Sequence, residues 1–226
     1  TFLNSGKNNY HMEEKFTMPG SSKKKAILAL KLYTQDLKGE YHLRELARKL
    51  EVNHQTLRPY LDQLVEKGIL REKQQGRNKV FSLNQKSDLL PYYLIQVEAD
   101  RTAEFLESKN IIRTFWKNFR DKISKEILRK IEILILFGSF AKGSEDEESD
   151  IDLFLAAPEK ASNKIMNACD KLEAVTGRDI EIEQTSNLRN VVARQGPETF
   201  GEIINNHIVL LGIEKFIFTA RRFHGI

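Results

Sequence analysis

Residues 137–153 read FGSFAKGSEDEESDIDL, and the fold of the second half of the chain turns on them. An apolar run comes before, with Ile131, Ile133, Leu134, Ile135 and Leu136 interrupted by Glu132, and Leu153, Phe154 and Leu155 come after. The pattern predicts a buried strand, a tight turn at Gly138 and Ser139, and a second strand that carries acids. Asp150 and Asp152 stand at i and i+2, so the period of a strand puts both carboxylates on one face. Two like charges held so close repel each other unless a cation lies between them. Magnesium takes hard oxygen ligands of this kind and is completed by water and phosphate oxygens. Glycine and serine at the turn leave room for phosphate to approach backbone N–H groups.

The spacing G-S-x-A-K-G, five residues, then S-D-x-D-L resembles the signature of the DNA polymerase β nucleotidyltransferase superfamily. It is most similar to the minimal and kanamycin-nucleotidyltransferase-like members, including archaeal winged-helix–nucleotidyltransferase proteins. The resemblance implies a mixed sheet flanked by helices and a metal-dependent transfer of NMP from an NTP, ATP foremost. It implies that Asp150 and Asp152 hold Mg²⁺, with two ions in that family and Mn²⁺ as a substitute. It also implies nucleotide contacts from Gly138, Ser139, Lys142, Gly143 and Ser149. Phe140 departs from the pattern, since many minimal members carry Arg there.

Family members have a third carboxylate on a later strand, used with the metals to activate the attacking group. The stretch Gly177-Arg178-Asp179-Ile180-Glu181-Ile182-Glu183 alternates acid and apolar residues, so Asp179, Glu181 and Glu183 share a face. Glu181, flanked by both isoleucines, is the expected third catalytic and metal-binding acid, with Glu183 second.

The net charge of +4 conceals an asymmetry: residues 1–90 hold 17 Lys/Arg against 10 Asp/Glu, and residues 91–226 hold 19 against 22. A basic first part points to a polyanion partner. Its apolar periodicity predicts helices from Ser22, over His42–Leu50, and over His54–Lys67 ended by Gly68. Two short strands then flank the basic loop Gly76-Arg77-Asn78. Helix, turn, helix and hairpin read as a winged helix-turn-helix. The stretch Leu64-Val65-Glu66-Lys67-Gly68-Ile69-Leu70 resembles the end of recognition helices in winged-helix regulators. Expected DNA contacts are Asn53, His54, Gln55, Thr56, Arg58 and Tyr60 on the helix, then Arg71, Lys73, Arg77 and Lys79 on the wing. Pro59 predicts that the helix starts late or kinks.

The expected fold class is α+β. Residues 1–21 are a lead-in, 22–86 a winged-helix DNA-binding domain, 87–110 a linker helix and 111–226 a nucleotidyltransferase domain. The linker helix could join two subunits as a homodimer, and the aromatic residues of a helix over Ile111–Lys130 are expected in the core. The single Cys169 forms no internal disulfide and reads as a core hydrophobe. No apolar run reaches the roughly 20 residues that span a bilayer, and no signal-peptide pattern opens the chain, so a cytoplasmic protein without membrane contact is expected. The acceptor hydroxyl could be on a protein, including a toxin partner, on an RNA end or on a small molecule. The rival reading is a DNA-binding regulator whose nucleotidyltransferase fold senses nucleotide or is inactive.

Overall fold

The apolar run at 131–136 is continuous because the strand it forms is covered on both faces. In the computed structural model, which describes residues 20–193 and 197–226, β4 (Ile133–Leu136) has every residue buried. Its odd-numbered side chains, Ile133 and Ile135, enter one core, and Leu134 and Leu136 enter another. The paired strand β5 (Ile151–Ala156) divides likewise, with Phe154 and Ala156 on the first side and Leu153 and Leu155 on the second. A strand with two buried faces shows no alternation in its sequence.

The first half comprises α1 (Gly20–Gln35), β1 (Glu40–His42), α2 (Leu43–Lys49), α3 (His54–Glu66), β2 (Leu70–Gln75) and β3 (Asn78–Leu83). Asn53 caps α3, its side-chain oxygen accepting the Gln55 N–H at 2.7 Å. Leu57, Leu61 and Leu64 form the buried stripe, and Gly68, at φ +68°, ends the turn. Pro59 lies inside α3, which nevertheless starts at His54 rather than late. Its missing N–H removes the single bond that would reach the Gln55 carbonyl. β2 and β3 form a hairpin closed by Gly76 and Arg77, and β1 pairs with the other edge of β3, giving an antiparallel sheet of order β1-β3-β2. The expected lead-in falls almost wholly outside the described residues.

The second half continues with α4 (Leu90–Ser108), α5 (Asn110–Lys122) and α6 (Lys125–Leu128), and after β4 come α7 (Gly138–Lys142) and β5. Then follow α8 (Glu159–Thr176), β6 (Ile180–Thr185), α9 (Leu188–Ala193), α10 (Pro197–Asn205), β7 (Ile208–Leu211) and α11 (Ile213–Phe223). The sheet is mixed, in the order β6-β5-β4-β7, with β4 antiparallel to both neighbours and β5 parallel to β6 across the α8 crossover. The single helix expected over Ile111–Lys130 is two. Ile123 is extended (φ −90°, ψ 126°) and Ser124 caps the short α6, which breaks the run. Phe115 and Phe119 are buried as expected, and Trp116 stacks on Phe119 at 5.8 Å.

α4 is no exposed spacer. It lies against α1, α11 and β7, burying Leu90, Leu94, Val97 and Thr102. One core runs from Leu30, Tyr33, Leu61 and Phe81 through Leu94 and Val97 to Ile135, Phe154 and Phe216. Within this seam Glu98 is fully buried, 3.2 Å from both Arg101 and His207. Burial alone would raise its pKa, but His207 and Arg101, with a smaller effect of Thr34 of α1, outweigh that and bring it down to about 2. Arg101 also holds the His207 carbonyl, and Thr102 Oγ1 donates to the Val209 carbonyl at 3.1 Å. Arg221 of α11 donates to the Gln85 carbonyl at 2.8 Å and ties that helix to the first half.

Candidate active site

β4 delivers the chain to Phe137, whose extended backbone is followed at once by Gly138 at φ +66°. A Cβ on Gly138 would lie 1.8 Å from Asp152 Oδ2, so glycine is required by both its conformation and its neighbour. The Phe137 N–H donates to the Asp152 carbonyl at 3.0 Å, which ties the glycine turn to β5. Phe140 is buried in the second core and anchors α7, which accounts for an apolar residue at that position.

The parallel pairing of β5 and β6 sets Asp152 directly beside Glu181. Side chains paired across adjacent strands project to the same face. Asp152 is half-buried and its pKa is raised, first by desolvation, then by Glu181 and Asp150, against smaller opposing effects of the Ser139 amide and Lys142. Glu183, one pleat further along β6, is raised by desolvation and by Asp152, Glu181 and Glu202 of α10. The sequence reading missed Glu202, whose helix lies far along the chain. Asp150 precedes β5, with the next amide, Ile151 N–H, bonded to the Asp179 carbonyl at 2.9 Å. Among the described residues no three Asp, Glu, His or Cys side chains are gathered into a ready metal cage. The donor set is nevertheless hard oxygen with an unbalanced negative field, the kind of surroundings a divalent cation offsets.

Residues 118–212 match the family model described as Polymerase beta, Nucleotidyltransferase. The matched residues take in all four strands of the mixed sheet, with Asp150, Asp152 and Glu181 among them. A putative protein adenylyltransferase of Methanocaldococcus jannaschii is 42% identical over 48 residues, covering 21% of this chain and 48% of the relative. The chain therefore spans about half the length of that relative. A second putative protein adenylyltransferase of the same organism is 27% identical over 95 residues, covering 41% of this chain and 89% of the relative. Among solved structures, a toxin–antitoxin with AMP-PNP matches at 20% identity and TM-score 0.36, covering 50% of this chain and 83% of that one. TrmBL2, an archaeal chromatin protein, matches at 18% identity and TM-score 0.26, covering 84% of this chain and 72% of that one.

Around the glycine turn the remaining expected nucleotide contacts separate. Lys142 is exposed beside the acids, and Gly143 closes α7 at φ +72° with open space around it. Ser149 is not free: its hydroxyl donates to Asp146 Oδ1 and accepts the Asp146 N–H, both at 2.9 Å. It braces the acidic loop.

In the first half of the chain, the expected DNA contacts are similarly divided. Gln55 and Thr56 are exposed on α3, His54 is half-buried, and Asn53 is spent on the cap. Arg58 bonds Asp62 at 2.9 Å and Glu72 at 3.0 Å and lies over the Phe81 ring, and Lys79 pairs with the same Glu72. Arg71 donates to Asn84 at 2.8 Å, while Lys73 and Arg77 are exposed. A concavity of about 510 Å³ gathers Arg58, Arg77 and Lys79 with Arg44 of α2, a cation the sequence reading passed over.

Proposed function

We propose that the chain transfers a nucleoside monophosphate, AMP from ATP in the first instance, to a hydroxyl acceptor while its first half holds DNA as a winged helix. The supporting observation is the pairing that sets Asp152 beside Glu181 and against the glycine turn. In the reaction the acceptor O–H breaks, a new O–Pα bond forms, and the bond from Pα to the bridging oxygen breaks to release pyrophosphate. Glu181 takes the acceptor proton, and Gly138 lets the triphosphate approach a turn that any side chain would block. Lys142 offsets phosphate charge at the rim. Asp150, Asp152 and Glu181 would hold Mg²⁺, or Mn²⁺ in its place, and the bound ion would screen the triphosphate and stabilise the leaving pyrophosphate. The names of the Methanocaldococcus relatives favour a protein hydroxyl as acceptor. For the first half, helix–turn–helix order, the β2–β3 hairpin and the concavity containing Arg44 and Arg77 favour DNA, read in the major groove by α3 and along phosphates by the wing. No helix among the described residues is long and apolar enough to cross a membrane.

The test is incubation with Mg²⁺ and ATP labelled at the α-phosphate, alongside hydroxyl-bearing peptides, RNA ends and the chain itself. Label should appear on an acceptor from α-labelled ATP and never from γ-labelled ATP. Absence of transfer with either Mg²⁺ or Mn²⁺ would sink the enzymatic reading. One observation favours the rival, a DNA-binding regulator that senses nucleotide: the Ser149 hydroxyl, expected to contact nucleotide, is bonded to Asp146. Nucleotide-dependent DNA binding without label transfer would establish that alternative.

A further inference from the structure

The loop that joins the glycine turn to Asp150 carries four successive acids, Glu145, Asp146, Glu147 and Glu148, next to a site already crowded with carboxylates. Mutual repulsion would drive such a loop outward. Two cations from elsewhere in the chain oppose this. Lys109, just before α5, pairs with Glu145. Arg178, between α8 and β6, donates from one guanidinium nitrogen to the Glu147 carbonyl and to the Ser149 carbonyl, the latter at 3.4 Å. Its charge also lowers the pKa of Asp146, after the larger effects of hydrogen bonds from Ser149 and Glu148.

The place of Arg178 in the chain gives this contact its meaning. The Ser149 carbonyl belongs to the peptide that enters Asp150. Next to Arg178 is Asp179, whose carbonyl fixes the Ile151 amide at 2.9 Å, and three residues on is Glu181, paired with Asp152. One short segment thus grips the backbone on both sides of Asp150 and also supplies the third acid. We infer that Arg178 is a positioning residue: by holding the Glu147 and Ser149 carbonyls it sets the Asp150 carboxylate relative to Asp152 and Glu181. The inference rests on the proposed nucleotidyl transfer, but the hold itself is a property of the loop. Arginine suits the role because its planar head offers several N–H groups in fixed directions to neighbouring carbonyls.

The experiment compares wild type, Arg178→Ala and Arg178→Lys in the full chain by amide hydrogen exchange over residues 144–151, Mn²⁺ binding without nucleotide, thermal melting and AMP transfer. Arg178→Ala should speed loop exchange, weaken Mn²⁺ binding and lower kcat by about 100-fold, the size of effect a displaced reacting group produces. The KM for ATP should move within a few-fold and melting should stay near wild type. Arg178→Lys, which keeps the charge and loses the fork, should fall between. Unchanged exchange, or faster exchange with an unchanged kcat, overturns the inference. So does a loss of activity matched by an equal loss of melting temperature in both variants, which describes general destabilisation. If wild type itself transfers nothing, the proposed function falls, and equal Mn²⁺ affinities of wild type and Arg178→Ala then overturn this inference separately.

Discussion

Glu98 and Asp152 are both removed from water, and the fold treats them in opposite ways. In the seam between α4 and β7, Glu98 meets His207, Arg101 and Thr34, and its pKa falls to about 2 despite complete burial. At the rim of the sheet Asp152 meets Glu181 and Asp150, and its pKa rises. Desolvation is the largest influence on each, so the sign of the shift is decided by the neighbours. A carboxylate used to hold two elements together is surrounded by its partners. The carboxylate at the candidate site is left mainly with its own kind, where a bound cation would balance its charge. The basic face of the first half shows the same division on a smaller scale. Arg58 and Lys79 are neutralised by Asp62 and Glu72, whereas Arg77 stays exposed.

Breaking either side of this contrast should give distinct results. Asp152→Asn should lower AMP transfer by about 1,000-fold or more, as removal of a reacting group does in other enzymes. Melting should be unchanged or higher, because repulsion with Glu181 is relieved, and a lower melting temperature would show that Asp152 is structural. Glu98→Gln should have the reverse profile: a loss of about 3 kcal/mol in denaturant unfolding, since Arg101 is left in the seam without its counter-charge. The pH dependence follows from the direction of the shift. The folded pKa of Glu98 is depressed, so its stabilisation is complete above the ordinary value of 4.5 and is lost as pH falls toward 2. Melting temperature should therefore fall less steeply between pH 4.5 and 2 in Glu98→Gln than in wild type.

Gly138→Ala joins the two cases, because it combines a left-handed backbone with a Cβ 1.8 Å from Asp152 Oδ2. It should cost about 1–2 kcal/mol from conformation alone, and calorimetry together with transfer assays should show stability and activity falling together. The smallest effects belong to the basic face. Arg77→Ala and Arg44→Ala should each reduce the salt slope of DNA binding by about 0.9. Arg58→Ala should change that slope less and lower stability more, since its partners Asp62 and Glu72 lie within the chain. Equal slopes for Arg58→Ala and Arg77→Ala would remove the distinction.

Much of the carboxylate site was legible because it is local. The glycine turn, the alternation that carries Asp150 and Asp152, and the buried strands on either side are set within a few residues of one another. Glu181 was reachable because its own strand alternates, though its register with Asp152 was not. Other features depend on distant segments. Ser149, expected as a nucleotide contact, is bonded to Asp146 by the fold of its loop, and Arg58, expected as a DNA contact on the recognition helix, meets Glu72 of β2. The helix break at Ile123 escaped the periodicity because apolar spacing continues across it.

By itself the sequence determined most of the elements, the turn that must be glycine and the acids that stand on alternate positions, all consequences of local sterics and side-chain period. Tertiary structure alone decided which charges are balanced. It placed Asp152 beside Glu181, enclosed Glu98 with His207, and brought Arg178 to the carbonyl before Asp150. Electrostatic energy depends on distance through space, and the chain sets that distance only when it folds.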